Sequence, residues 1–317
     1  MDPMNPSHEH FATYVAILGR GPGRSRALTQ DEARDAFGAV LREEADPHQV
    51  GAFLMLLRFR GEDAGEIAGM VEAARVPWTG AAADLDWPSY GAGRTRGAPW
   101  FLLSALALAR AGATVLMHGS NEHSAGIPVE SALRALGAAA AGERFTYLPL
   151  AGLSPPLYRL LRMRRLFGLR SPVNTVARLL NPANAAAGVD GVFHPPYIAV
   201  HLGVAERLGR GRLLVLKGGG GEAERTPLKP SVAWLWDKAK GRAEIALPGQ
   251  PGLTARPAAR DTLELLAEVW RGEAAPPAIV ATITATIATG LLALDWAATP
   301  EAADRDAERI WRDRLPA

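Results

Sequence analysis

Cysteine is absent from the 317 residues, which excludes disulfides, thiolate metal sites and a cysteine nucleophile and leaves the redox compartment open. Neither sign of charge dominates: 35 Lys and Arg against 33 Asp and Glu give a formal +2, too small to name a partner. Long apolar runs are also missing. The stretch over residues 278–294 falls short of the ~20 mainly apolar residues that a membrane span requires and is studded with Thr282, Thr284, Thr286 and Thr289, so it predicts a buried helix. No membrane partner is expected. The first residues carry His8, Glu9 and His10 without an apolar run, which predicts no secretory signal and a cytoplasmic protein. With 48% hydrophobic residues the chain can bury a large core, and at ~100–200 residues per domain it predicts one large domain and a small one.

One absence is local. Residues 144–189 contain no Asp or Glu, while Arg144, Arg159, Arg162, Arg164, Arg165, Arg170 and Arg178 all fall inside. Such a segment projects an unbalanced positive field that attracts phosphate. The alternative is an ordinary solvated face, since Arg159, Arg162 and Arg165 recur at helical spacing. Smaller basic groups occur at Arg20, Arg24 and Arg26, at Arg94 and Arg96, and at Arg207, Arg210 and Arg212.

Thr29 with Glu32 forms a capping box ahead of Ala33, Phe37, Val40 and Leu41, and Asp46-Pro47 with Gln49 starts a second helix carrying Val50, Phe53, Leu54 and Leu57, closed by Gly61. A third carries Ile67, Met70, Val71 and Ala74 and ends before Pro77. These predict a small helical bundle over residues 1–80, joined by part of the middle of the chain. From about Pro88 the pattern alternates: helix over 98–111, strand over 114–117, helix over 128–136, strand over 213–216. Residues 81–317 therefore predict an α/β domain with helices on both faces of the sheet. Residues 247–257 read as a surface connection, and no internal repeat is evident.

The N-terminal third, with Ala45-Asp46-Pro47-His48-Gln49-Val50-Gly51, Arg58-Phe59-Arg60-Gly61-Glu62 and Glu66-Ile67-Ala68-Gly69, resembles the helical domain of the anthranilate phosphoribosyltransferase family. His118-Gly119 stands where that family has Lys-His-Gly-Asn-Arg, and Phe167-Gly168-Leu169-Arg170-Ser171, Asn174 and Asn181-Pro182-Ala183 match its L-G-x-R-T-x-x-N…N-P-A segment. The resemblance implies the nucleoside phosphorylase/phosphoribosyltransferase-like α/β fold. It also implies dimerisation through the helical domain.

It further implies a donor site, where the residues depart from the pattern. In the family's G-T-G-G-D-G loop, glycines let backbone amides approach a pyrophosphate, because a side chain would block them. The gapless match puts Ser89, Tyr90, Gly91, Ala92, Gly93 and Arg94 on that loop, and Pro99, Phe101 and Leu102 on the Asn, Ser and Thr that hold the 5-phosphate. Ser104 substitutes only if the register slips by two. Lys-His-Gly-Asn-Arg becomes Met117-His118-Gly119-Ser120-Asn121, losing both cations, and the magnesium-binding Asp-Glu pair becomes Ala223-Glu224, with Glu222 nearby. Magnesium is expected only if phosphoribosyl transfer is retained. Arg164 falls on the arginine that contacts the aromatic acid.

Several features carry two readings. Gly218 to Gly221 beside Lys217 is an anion-binding loop or a flexible turn. His118 and His194 read as structural, His118 because no acid stands near it in sequence to orient it. Trp234 and Trp236 alternate as core and rim in a strand, with base stacking the alternative. Two function classes follow. One is sequence-nonspecific binding of DNA or RNA backbone by a homodimer, through Arg159, Arg162, Arg164, Arg165, Arg170, Arg178 and Lys217. Bacterial homologues with a decayed donor motif, which the His194-to-Tyr197 turn and the Lys217-to-Glu222 loop resemble, imply this class. The other is a phosphoribosyltransferase or phosphorylase with altered donor or acceptor, working through Arg94, Arg96, Lys217 and Glu224.

Overall fold

The computed structural model describes residues 6–21, 23–91, 94, 96–254 and 258–315. Helices α1 (Pro6–Gly19), α2 (Gln30–Leu41), α3 (Pro47–Arg60) and α4 (Ala64–Ala74) form the N-terminal bundle. Their starts follow from local chemistry. Thr29 and Glu32 exchange side-chain-to-amide hydrogen bonds at α2, Asp46 and Gln49 do so at α3, and Asp63 and Glu66 repeat the device at α4. Helices α2 and α4 cross closely because Gly69 has no side chain: a Cβ there would lie 2.0 Å from the Gln30 carbonyl oxygen.

Strands β1 (Leu85–Ser89), β2 (Val115–Gly119) and β3 (Phe145–Pro149) follow, with α5 (Trp100–Arg110), α6 (Val129–Leu136) and α7 (Ala138–Ala141) between them. The chain then runs through α8 (Leu150–Leu153), α9 (Pro155–Arg162), α10 (Arg164–Phe167) and α11 (Val173–Arg178) to β4 (Ala187–Val192), α12 (Pro196–Arg207) and β5 (Arg212–Lys217). A hairpin of β6 (Ser231–Asp237) and β7 (Gly241–Leu247) and helices α13 (Leu263–Arg271), α14 (Pro277–Ala293) and α15 (Pro300–Arg312) complete it.

The seven strands lie in the order β3-β2-β1-β4-β5-β6-β7, parallel from β3 to β5 and antiparallel at β6 and β7. The sheet is therefore the expected α/β one, with an antiparallel edge that alternation alone does not announce. Strand β1 begins three residues before Pro88, the position at which the sequence pattern changes character. It pairs with β4 only at Leu85 and Asp86, so Pro88 occupies a position where that ladder has already ended.

Two apolar clusters sandwich the sheet. One gathers Leu85, Trp87, α5 and α14. The other joins α1–α4 to Leu150, Leu157, Leu160, Val173 and Val176, so the middle of the chain returns to the N-terminal bundle. Helix α14 is the buried helix that its pattern predicts; Thr282 and Thr284 satisfy their hydroxyls on carbonyls of the preceding turn. Among the described residues no helix is long and apolar enough to cross a membrane. Trp236 is buried with its Nε1 donating to the Arg210 carbonyl, and Trp234 lies half-buried at the rim against Glu244.

Candidate functional site

The strand order reverses between β1 and β4, and open α/β sheets bind ligands at the carboxyl ends flanking such a switch point. Here β1 delivers Ser89 and Gly91, β2 delivers His118 and Gly119, and the turn after β5 delivers Glu222 and Glu224. Ala92 and Gly93 of the glycine loop lie outside the described residues.

The loop's Gly91 amide already has a partner within the chain. It donates to Oε1 of Glu222 at 2.6 Å, and Ser89 Oγ donates to the same oxygen at 3.3 Å. Glu222 is 1% exposed. Burial pushes its carboxyl up, against the opposing pull of Arg94, Arg178 and the Gly91 amide. Arg94 turns inward and donates to the Ile127 carbonyl at 2.8 Å. Gly218 to Gly221 is a turn packed against Arg94, and a Cβ on Gly220 (φ 65°) would lie 2.6 Å from the Arg94 Cβ. Lys217 is exposed at the end of β5.

Glu224 accepts from the Phe101 amide at 3.0 Å, at the start of α5, where Pro99 offers no side-chain cap. Burial pushes its carboxyl up to about 7, although the Phe101 amide and Arg94 pull the other way. It forms part of the wall of a cavity of about 300 Å³, with Arg94, Arg96, Trp100, Thr226 and Asp261. Ser104 donates to the Ile283 carbonyl, so it faces α14 instead of replacing a lost hydroxyl. Magnesium fits this arrangement poorly. Ala223 stands at the aspartate, and an oxygen of each neighbouring carboxylate is engaged with a backbone amide where a hard cation needs converging oxygens.

His118 is fully buried, as the structural reading expects, with an acid from the neighbouring strand close by. Its Nε2 lies 3.2 Å from Asp86 Oδ1, and its Nδ1 is 2.8 Å from the Tyr90 hydroxyl. Ser120 and Asn121, after β2, line a separate cleft with Glu122, Glu130 and Tyr158. A second buried pair, His201 Nδ1 and Asp190 Oδ2 at 2.7 Å, joins α12 to β4 across eleven residues of sequence and leaves no local signal.

Five of the seven arginines of residues 144–189 separate into two groups. The acids absent from 144–189 arrive from elsewhere in the fold: Arg159 pairs with Glu43, while Arg162 and Arg165 lie 3.3 and 3.7 Å from Glu122. The expectation that these three lack acidic partners is thereby corrected. By contrast Arg170 and Arg178 converge with Arg58, which sequence reasoning missed, on a cleft of about 60 Å³ that His194, Asn174 and Ser171 also line. Arg58 donates to the Tyr197 hydroxyl at 2.6 Å and Arg178 to the Asn174 carbonyl at 3.1 Å. Burial and the neighbouring Arg164, Arg178 and Arg58 hold the Arg170 guanidinium below its usual range. His194 is exposed at the cleft and is no core residue.

Residues 13–76 match the helical bundle domain of a glycosyl transferase family. The chain is 27% identical over 270 residues to the protein YbiB of Escherichia coli, covering 79% of this chain and 84% of that one. It is 31% identical over 262 residues to the anthranilate phosphoribosyltransferase of Rhodopseudomonas palustris, covering 77% and 76%. The crystal structure of anthranilate phosphoribosyltransferase (TrpD) from Thermus thermophilus superposes with a TM-score of 0.74 at 22% identity, over 96% of this chain and 94% of that one. With the helical bundle matched over residues 13–76 and 31% identity to an anthranilate phosphoribosyltransferase over 77% of the chain, the chain belongs to the anthranilate phosphoribosyltransferase family as a divergent member.

Proposed function

We propose that this protein binds the phosphate backbone of nucleic acid, in the cytoplasm and without reading base sequence. The observation that carries the reading is the convergence of Arg58, Arg170 and Arg178 on one cleft. Like charges gathered at a cleft focus a field that favours a phosphate over any neutral ligand. Arg162, Arg164 and Arg165 on α9 and α10 extend the positive surface, and backbone contacts of this kind position a strand without specifying it. A second copy docked on the helical domain would double the contacts; Phe59, 90% exposed on α3, and Leu166, 78% exposed on α10, are apolar side chains such a copy would cover.

The test is a titration with labelled single- and double-stranded oligonucleotides at two salt concentrations, with phosphoribosyl pyrophosphate and magnesium as the competing small ligand. Affinity is expected to fall with salt at a logarithmic slope of about −0.9 per duplex phosphate neutralised. Replacing Arg162, Arg164 and Arg165 together flattens the slope. Oligonucleotide binding that is absent or indifferent to salt overturns the reading.

One observation favours a second reading, a glycosyltransferase or phosphorylase with altered donor or acceptor. Glu224, with its carboxyl near 7, shares a cavity of about 300 Å³ with Arg94 and Arg96, the combination a general acid or base needs beside an anionic substrate. The anthranilate phosphoribosyltransferases among its relatives add weight to it. Saturable binding of phosphoribosyl pyrophosphate without oligonucleotide binding would select this reading.

A further inference from the structure

We propose that Phe193 is a stacking platform for an unpaired nucleobase, so that the cleft beside it takes single-stranded nucleic acid in preference to duplex. The inference rests on the backbone-binding reading and adds a base contact to it. Phe193 follows the carboxyl end of β4, beside the reversal of strand order, and is 46% exposed. A single exposed apolar side chain is ordinary, but this one lines the same cleft as Arg58, Arg170 and Arg178. An aromatic ring among cations matches a strand that offers both a phosphate and an open base face; duplex keeps its bases stacked on one another.

The backbone under the ring is fixed. Val192 pairs with Lys217 and its carbonyl accepts from the Gly218 amide, a Cβ on Gly221 would stand in contact with the Phe193 Cβ at 3.5 Å, and beyond Pro195 and Pro196 the Tyr197 amide donates back to the His194 carbonyl. The His194 ring meets Phe193 edge to face, with centroids 4.8 Å apart. A platform held in this way loses little freedom when a base covers it. The cleft also holds an acceptor that lacks a donor. Asn174 lines it and donates from Nδ2 to the Ser171 carbonyl, while its Oδ1 has no hydrogen-bond partner although the residue is 6% exposed. A phosphodiester brings acceptors only. Every nucleobase carries an N–H on its pairing edge, which is open in a single strand, so the base supplies what the phosphate does not and no particular sequence is required. The cleft of about 60 Å³ admits such an edge and leaves the rest of the ring to Phe193.

The test measures binding of labelled oligo(dA), oligo(dT) and their duplex to wild type, Phe193→Ala, Phe193→Leu and Phe193→Trp, with adenosine monophosphate as a fourth ligand and melting temperature followed in parallel. Because the side chain is exposed, all three variants are expected to melt with wild type. Wild type is expected to bind the single strands more tightly than the duplex. Phe193→Ala is expected to weaken single-strand binding by about 5- to 150-fold, more for oligo(dA) than for oligo(dT), without changing duplex affinity or the salt slope. Phe193→Leu, which keeps apolar bulk without a π face, is expected to show the same loss, and Phe193→Trp to retain wild-type affinity. Wild-type oligonucleotide binding that Phe193→Ala leaves intact, or weakens equally for duplex and single strand, overturns the proposal while the backbone reading stands. Full affinity in Phe193→Leu overturns stacking, and adenosine monophosphate bound as tightly as oligo(dA) overturns a strand as the occupant. If wild type binds no oligonucleotide, the backbone reading fails and this inference fails with it.

Discussion

Asp86 on β1 lies between a histidine and an arginine, with Oδ1 at 3.2 Å from His118 Nε2 on β2 and Oδ2 accepting from Arg210 Nη2 at 2.6 Å. Both Asp86 and His118 are fully buried. Burial raises the cost of the Asp86 charge, and Arg210 and His118 outweigh it, holding the carboxyl below the usual carboxylate range. Asp86→Asn leaves the Arg210 charge buried without its partner, so it is expected to destabilise the fold by about 3–5 kcal/mol at neutral pH. Because the folded-state value is depressed, this stabilisation is present above the unfolded value of about 3.9 and is lost as pH falls through the folded one. Urea unfolding of wild type and variant at neutral and at strongly acidic pH checks both statements; equal stabilities at neutral pH would refute them.

Glu224 has the opposite sign. Its carboxyl is pushed up to about 7 from an ordinary 4.5, so ionisation is opposed in the folded state. Its contribution is therefore fully present below the unfolded value and declines as pH rises toward 7. Glu224→Gln is expected to remove that decline and to melt no lower than wild type at pH 8. Melting curves across pH 4–8 measure it, and an unchanged pH profile in the variant counts against the burial argument.

What the sequence announces is mainly local. The capping boxes at Thr29 and Asp46, the helix of α14 and the strand of β5 are legible because each depends on neighbours within a few residues. The Asp63 and Glu66 box carries the same signal, and sequence reasoning missed it. The site is legible as a set of departures at Ser89, Tyr90, Arg94 and Ala223, without the reason for them. Glu222 meets Gly91 across 131 residues, Glu122 meets Arg162 across forty, and Arg58 enters the cleft from the N-terminal bundle. No periodicity or spacing encodes such meetings; the sheet order and the return of α9–α11 to the bundle create them.

The crossing of α2 and α4 makes a sharp stability prediction. A methyl at Gly69 would sit 2.0 Å from the Gln30 carbonyl oxygen and 2.8 Å from the Arg34 amide nitrogen, backbone atoms that no side-chain rotation can move aside. Gly69→Ala raises helix propensity by up to ~1 kcal/mol, but separating two packed helices costs about 1–3 kcal/mol or more. Net destabilisation is expected, with a lower melting temperature by calorimetry; a stabilised variant would mean that the helices part freely.

Glu122 gives the backbone-binding reading its most discriminating variant. Its carboxylate is only 17% exposed and lies 3.3 Å from Arg162 and 3.7 Å from Arg165, while the Tyr158 hydroxyl donates to it at 3.0 Å. Those arginines are themselves more than half exposed, so each pair contributes at most about 1 kcal/mol and the fold tolerates its loss. For a phosphate chain approaching α9, however, the carboxylate is a fixed competitor and a repulsive charge. Glu122→Gln keeps an acceptor for Tyr158 and releases both guanidiniums. Oligonucleotide affinity is therefore expected to rise at low salt, and the salt dependence to steepen by up to about 0.9 in logarithmic slope for each further duplex phosphate that a released arginine neutralises. If affinity and slope both stay at wild-type values while Arg170→Gln lowers them, the strand is held at the Arg58, Arg170 and Arg178 cleft alone and the α9–α10 arginines form a solvated face.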